Sequence, residues 1–251
     1  MNVFITGASS GIGAALAREF ASRGVTLGLL ARRGDALDEL IAQLPGRHRR
    51  YALDVTDRAR LTEAAREFEQ ATGGADVVIA NAGISGGTLT EHAEDLPAID
   101  RMIAVNFLAA VATFHPFIAP MRQRGRGALA AIASVSGVRG IPGAGAYCAS
   151  KAALINYCES LRVELRDSGV LVVTIAPGFI DTPMTAGNPY PMPFLMTAES
   201  FARQAAAAIL SGASYRVIPW QMAWLARALR ILPNRAFDRI MQRRPRKPRQ
   251  R

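Results

Sequence analysis

The chain has 251 residues, half of them apolar and a fifth charged, which suits one large α/β domain and leaves no room for two full-sized ones. Its formal net charge of +10 is confined to a tail: residues 216–251 carry eleven basic side chains against Asp238, while residues 1–215 are neutral, so the high isoelectric point does not argue for nucleic-acid binding. No run of eighteen apolar residues and no basic-apolar leader occurs, which argues against a spanning helix and a secretory signal and points to a cytoplasmic protein.

Short apolar runs alternate with helical patterns. Strands are predicted at 3–5, 25–30, 51–53, 76–80, 128–133 and 170–175, with 216–218 as a candidate seventh. Helices are predicted at 12–23, 36–44, 59–71, around 99–121, and at 146–168. The strands are apolar throughout rather than alternating, so both faces are covered. Repeated β–α order with such strands implies a doubly wound, Rossmann-like parallel sheet. Cys148 and Cys158 share one predicted helix, about 15 Å apart by helical rise, and read as reduced thiols rather than a disulfide. Residues 1–218 form the catalytic domain on this reading, including a loop at 182–198. Helices at 198–210, 220–231 and a short one capped by Asn234 follow, so that 219–244 is a basic helical extension and 245–251 a disordered tail.

Thr6-Gly7-Ala8-Ser9-Ser10-Gly11-Ile12-Gly13 joins the first strand to the first helix. Gly7 permits a tight turn, Gly11 a close backbone approach to a pyrophosphate, and Gly13 close helix packing. Free amides at the helix start face the anion. The alternative is a tight turn without a ligand. At the end of the second strand, where an acidic residue would bond the ribose hydroxyls of NAD, the sequence reads Leu30-Ala31-Arg32-Arg33. Two guanidiniums there suit the extra phosphate of NADP, so NADP(H) is expected over NAD(H); solvated loop arginines are the alternative.

Tyr147 and Lys151 are four apart and share a helix face. A free tyrosine has a pKa near 10, and a cation within roughly 4–6 Å lowers it by about 1–3 units, which makes a usable acid/base. Arginine supplies 28 of the 30 basic residues, and Lys151 is the only lysine before Lys247. Ser134 closes the fifth strand, where a hydroxyl can bond a substrate oxygen; Ser136 competes for that role. Asn106, a mediocre helix former, lies within the preceding helix, on the surface unless something else retains it.

These motifs together resemble the short-chain dehydrogenase/reductase family over roughly residues 2–218. The resemblance rests on Thr6-Gly7-x-x-x-Gly11-x-Gly13, Asp54-Val55, Asn81-Ala82-Gly83, Asn106, Ser134, Tyr147-x-x-x-Lys151 and Pro177-Gly178-x-x-x-Thr182. It implies Tyr147 as the acid/base, Lys151 lowering its pKa and holding the nicotinamide ribose, Ser134 orienting the substrate oxygen, and Asn106 holding a relay water. It further implies Gly7, Ser9, Ile12 and the Arg32 region at the adenine end and Asp54 and Val55 on the adenine. Asn81, with Ala82 and Gly83, would brace sheet and cofactor, and Thr182, with Pro177, Gly178 and Ile180, would meet the carboxamide. The family often has a second asparagine where this chain has Ala80, and the tail beyond Trp220 is longer and more basic than the family's minimal pattern.

Residues 184–197 carry no charge, so an apolar or lipid-like carbonyl or alcohol substrate is expected. On a helical wheel 220–232 gathers Trp220, Trp224, Leu225, Leu229 and Ile231 in one arc opposite Arg227 and Arg230. Such a helix packs on its own domain, on a partner subunit in a homo-dimer or homo-tetramer, or on the inner face of a membrane as a peripheral contact. A dinucleotide-binding sensor without catalysis, or a membrane- or protein-docking module, each acting through the basic tail, is the alternative function; the intact Ser134, Tyr147 and Lys151 argue against the sensor.

Overall fold

The computed structural model describes residues 1–242 and 244–249; Arg243, Gln250 and Arg251 lie outside the described residues. In chain order the elements are β1 (Asn2–Thr6), α1 (Gly11–Ala21), β2 (Thr26–Ala31), α2 (Gly34–Ala42), β3 (Arg49–Ala52), α3 (Arg58–Thr72), β4 (Val77–Ala80) and α4 (Leu96–Ile103). A π-helical turn at Ala104–Leu108 leads into α5 (Ala109–Arg124), then β5 (Gly127–Ile132), α6 (Gly145–Glu164) and β6 (Val170–Pro177). A two-stranded parallel pair, β7 (Ile180–Asp181) and β8 (Met196–Thr197), brackets the uncharged loop. The chain continues through α7 (Ala198–Leu210), β9 (Tyr215–Ile218), α8 (Gln221–Ile231) and α9 (Asn234–Met241).

The sheet runs β3-β2-β1-β4-β5-β6-β9, all pairs parallel. The strand order reverses between β1 and β4, which opens a crevice beyond their carboxyl ends. Alternation along β1 explains why the strands are apolar on both faces. Val3 and Ile5 join a core with Leu16 and Phe20 of α1 and Phe201 of α7. Phe4 joins the opposite core with Phe68 of α3 and Phe114 and Phe117 of α5. Gly28 of β2 makes room for that second core: a Cβ there would stand 2.7 Å from the rings of both Phe4 and Phe68.

The helical run Ala93–Arg124 is long and apolar enough by composition to cross a membrane, and its residues 102–121 hold no Asp, Glu, Lys or Arg. Its Phe114, Phe117 and Met121 are wholly buried in the second core, so here it serves as an internal helix of the domain.

The extension departs from two expectations. The apolar arc of α8 does not act as one face: Met222 and Ala226 are buried, while Trp220, Trp224 and Ile231 are 66%, 64% and 83% exposed. Asn234 does not cap α9 with its side chain; Pro233 occupies the cap position, and the Asn234 Oδ1 instead accepts from Arg139 at 2.9 Å. The Arg139 guanidinium also lies 3.8 Å over the Phe237 ring and donates to the carbonyls of Leu229 and Leu232 at the end of α8. One cation therefore satisfies helix-terminal carbonyls that would otherwise lack donors.

Candidate active site

The turn from β1 to α1 is shaped by its glycines. Gly7 and Gly11 have φ of +68° and +54°, a region other residues enter only with strain. A Cβ at position 13 would stand 2.2 Å from the Gly7 carbonyl oxygen, so only glycine lets α1 close on the turn. Asn81, just past β4, donates from Nδ2 to the carbonyls of Thr6 and Gly7 at 3.0 and 3.2 Å. The Thr6 hydroxyl accepts in return from the amides of Asn81 and Ala82. The side chain of Ser10, at the cap of α1, forms no capping hydrogen bond, so the first amides of the helix remain available to an anion.

Every candidate residue except Asn106 and Ser136 lines one continuous cleft along the carboxyl ends of β1 to β6. Ser134 lines it and Ser136 does not, which separates the two competing serines. Arg101, Val105, Ile132 and Thr185 also line it and were not foreseen. Arg101 lies on α4 with no local motif to mark it. Thr185 donates to the Ile180 carbonyl at 2.6 Å and accepts from the Thr182 amide at 3.1 Å, shaping the bend that carries Thr182 toward Gly11.

At one end of the cleft Arg33 reaches Ser9, its Nη2 3.3 Å from the Ser9 hydroxyl. Arg32 is more than half exposed and makes a loose 4.0 Å pair with Asp54. Burial works to raise the Asp54 carboxyl, but hydrogen bonds from the Thr56 amide and hydroxyl, with the charges of Arg32 and Arg101, outweigh it and hold the group below its ordinary value.

At the other end, Ser134 lies two residues past β5, buried, its Oγ accepting from the Ser136 amide at 3.1 Å and hydrogen-bonded to the Tyr147 phenol. Tyr147 is in the first turn of α6 and Lys151 in the next. Burial pushes the Tyr147 phenol up, and the Ser134 hydrogen bond opposes this. Burial lowers Lys151 to about 8, while its Nζ donates to the Ile132 carbonyl at 2.8 Å. The expected depression of the tyrosine by Lys151 is therefore not the state of this cleft: desolvation dominates, and the ammonium is directed at a backbone carbonyl.

Asn106 is fully buried, which removes the surface alternative. Its Oδ1 accepts from the Ile84 amide at 2.8 Å, and its Nδ2 donates to the Ile84 carbonyl and the Ser150 hydroxyl at 2.9 and 3.0 Å. Ser150 in turn donates to the Tyr147 carbonyl at 2.8 Å. Asn106 thus ties the segment after β4 to the turn of α6 that bears the tyrosine.

The tail also corrects the sequence reading. Residues 244–249 are not a free basic segment but lie beside the rim of the cleft at Met184, hydrogen-bonded to Ser85, Gly87, Asp95 and Met184. The remainder of the expected disordered stretch, residues 250 and 251, falls outside the described residues. Ion pairing accounts for the difference, because a buried carboxylate supplies a partner that composition cannot reveal.

The cleft fits a nicotinamide dinucleotide: glycines hold open the space beside a helix start with available amides, cations flank one end, and a hydroxyl, phenol and ammonium meet at the other. Residues 1–190 match the family described as short chain dehydrogenase. An uncharacterized oxidoreductase of Myxococcus xanthus is 40% identical over 244 residues, covering 95% of each chain. The 2-dehydro-3-deoxy-L-rhamnonate dehydrogenase (NAD(+)) of a Sphingomonas strain is 33% identical over 180 residues, 72% of each chain. The crystal structure of a 3-ketoacyl-ACP reductase from Sinorhizobium meliloti superposes with a TM-score of 0.77 at 29% identity, covering 86% of this chain and 96% of that one. The chain belongs to the short-chain dehydrogenase/reductase family and is an NAD(P)-dependent oxidoreductase acting on CH–OH groups of small molecules.

Proposed function

We propose that the protein is an NADP(H)-dependent enzyme that interconverts a carbonyl and an alcohol on an apolar substrate, with Tyr147 as the acid/base. The observation that carries this is the meeting of Ser134, Tyr147 and Lys151 at the end of the cleft opposite Arg32 and Arg33. Gly7, Ser9, Gly11, Ile12 and Gly13 would hold the pyrophosphate, Asp54 and Val55 the adenine, and Lys151 the nicotinamide ribose, with Thr182 at the carboxamide. Once bound, the cofactor supplies or accepts the hydride. Everything else falls to the chain. Tyr147, whose phenol burial holds above its ordinary value, gives its proton to the carbonyl oxygen as that oxygen becomes an alcohol. The Ser134 hydroxyl steadies the same oxygen. Lys151 is largely an ammonium at pH 7 and offsets the phenolate left behind. Asn106 holds the helix turn beneath the tyrosine through Ser150.

Arg32 and Arg33 support NADP(H), since nothing acidic stands at the end of β2 and each guanidinium can pair bidentately with a ribose phosphate. Exposed Met184, Phe194 and Leu195 on the uncharged loop support an apolar substrate, in keeping with the acyl-chain ketone named for the Sinorhizobium meliloti relative. The test is turnover of a carbonyl panel with NADPH and NADH. The reading expects at least tenfold higher kcat/KM with NADPH and a preference for long-chain aldehydes and ketones. Equal use of the two cofactors, or turnover confined to small charged substrates, would overturn it.

The exposed Trp220, Trp224 and Ile231 share the extension with the exposed Arg227, Arg235 and Arg239, and the Arg227 guanidinium lies 5.4 Å from the centre of the Trp224 ring. A two-fold self-contact would set these arginines against their own copies, whereas an anionic bilayer complements them and accepts the tryptophans. This supports a peripheral contact with anionic lipid through 220–244. A homo-dimer or homo-tetramer would form elsewhere, through exposed apolar side chains such as Leu96 and Leu108. Co-sedimentation with phosphatidylglycerol vesicles is expected for the full chain and lost in Trp220→Ser/Trp224→Ser; equal binding by the variant, or self-association through this face in light scattering, would contradict it.

A further inference from the structure

We propose that residues 244–249 are a strap that holds the substrate loop over Tyr147, and that Arg249 is the positioning residue that fastens it. The strap touches four segments that are far apart in sequence. Lys247, the second of only two lysines, donates from Nζ to the Ser85 hydroxyl at 3.1 Å and the Met184 carbonyl at 3.3 Å. One ammonium thus joins the segment after β4 to the loop between β7 and β8. Arg244 lies 4.9 Å over the ring of Tyr190, and Tyr190 is close enough to Tyr147 to help hold its phenol up. Arg246 packs on Gly143, where a Cβ would stand 3.2 Å from the arginine's own. The Gly87 amide donates to the Pro248 carbonyl at 3.0 Å, and the Thr88 amide to the Gly143 carbonyl, four residues before Tyr147.

The fastening is at Asp95, which is 2% exposed. Arg249 donates to its carboxylate three times, from Nε at 2.9 and 3.1 Å and from Nη2 at 2.9 Å, and the Leu89 amide adds a fourth hydrogen bond at 2.7 Å. Arg249, Leu89 and His92 hold the Asp95 carboxyl below its ordinary value, and Glu94 lies 3.8 Å from Arg249 on the outer side. A carboxylate is almost never buried this far without a partner, and a two-pronged arginine pair is the strongest such partner. The partners of Arg249, which are Asp95, Glu94 and the Gly87 backbone, are not residues that line the cleft, so it acts through the strap. With the strap fastened, Met184 and Tyr190 are held where the substrate must sit; with it loose, the loop opens.

The kinetic consequence rests on the substrate side proposed above, while the structural consequence does not. Backbone hydrogen exchange and kinetics on the full-length enzyme with NADPH would test both. In Arg249→Gln and in Asp95→Asn, amides of 184–190 and 84–89 are expected to exchange at least tenfold faster, with β5 unchanged. KM for decanal should rise about tenfold, with kcat within twofold and NADPH affinity unaltered, and Arg249→Lys should recover part of the loss. The double variant should be no worse than either single one. Unchanged exchange at 184–190 in both variants would overturn the strap, as would faster exchange spread equally into β5, which would mean general loosening. If the wild-type enzyme does not turn over decanal, the substrate assignment fails and the exchange comparison alone decides the strap.

Discussion

The two ends of the cleft are built by different means. The dinucleotide end is made of backbone: three glycines, a helix start and an asparagine that holds two carbonyls, all within the first 81 residues. The proposed substrate side is made of side chains that meet from β4's loop, α6, the β7–β8 loop and the tail, including a pair 154 positions apart. The first kind of site tolerates almost no added atom, because there is no flexible side chain to yield. The second can be retuned by changing one charge. A protein of this architecture can therefore keep its cofactor fixed while its substrate varies.

That contrast can be broken at the backbone end. Gly13→Val places a Cβ against the Gly7 carbonyl oxygen and should abolish NADPH binding, a loss of at least a hundredfold in fluorescence titration; near-normal affinity would mean the turn can shift. Arg32→Glu/Arg33→Glu would remove the two proposed charge-assisted contacts to the ribose phosphate, each about 1.5–3 kcal/mol, and should cut the NADPH preference roughly 10²- to 10⁴-fold in kcat/KM without reducing NADH turnover. A smaller fall would indicate that another group reads the phosphate.

Lys151 gives a pH test with a definite sign. Its folded pKa of about 8 lies below the unfolded value of about 10.4, so the unfolded chain binds the extra proton. Its burial penalty is complete below pH 8 and is relieved as pH rises to about 10.4, so this group makes unfolding free energy climb across that window. Lys151→Met should be more stable than wild type at pH 7 by on the order of 2–3 kcal/mol in urea titrations and should flatten that climb. Activity should run the other way, with wild-type kcat/KM falling above pH 8 as the ammonium is lost. Asn106→Ala should cost about 1–3 kcal/mol, because the Ile84 amide and carbonyl lose their buried partner. A cost below 0.5 kcal/mol would mean water replaces the side chain.

What was legible in the sequence follows the same division. The glycine turn, the arginines after β2, Ser134 after β5 and the Tyr147–Lys151 spacing are local patterns, and local backbone geometry brings them to one cleft. The environment of each was not legible. The direction of the Tyr147 shift depends on burial, and Lys151 turns toward Ile132, a residue on another element. Asn106 looked misplaced because its partners, Ile84 and Ser150, are 22 and 44 positions away. The basic tail reads as solvated by composition, since nothing in its own residues announces Asp95.

The central claim is that Tyr147 transfers the proton. The direct measurement is single-turnover oxidation of bound NADPH by a carbonyl substrate in wild type and Tyr147→Phe, with NADPH affinity measured on both. The account predicts a loss of about 10²- to 10⁴-fold in the rate with cofactor affinity unchanged. A phenylalanine variant that reduces the carbonyl at the wild-type rate would contradict it.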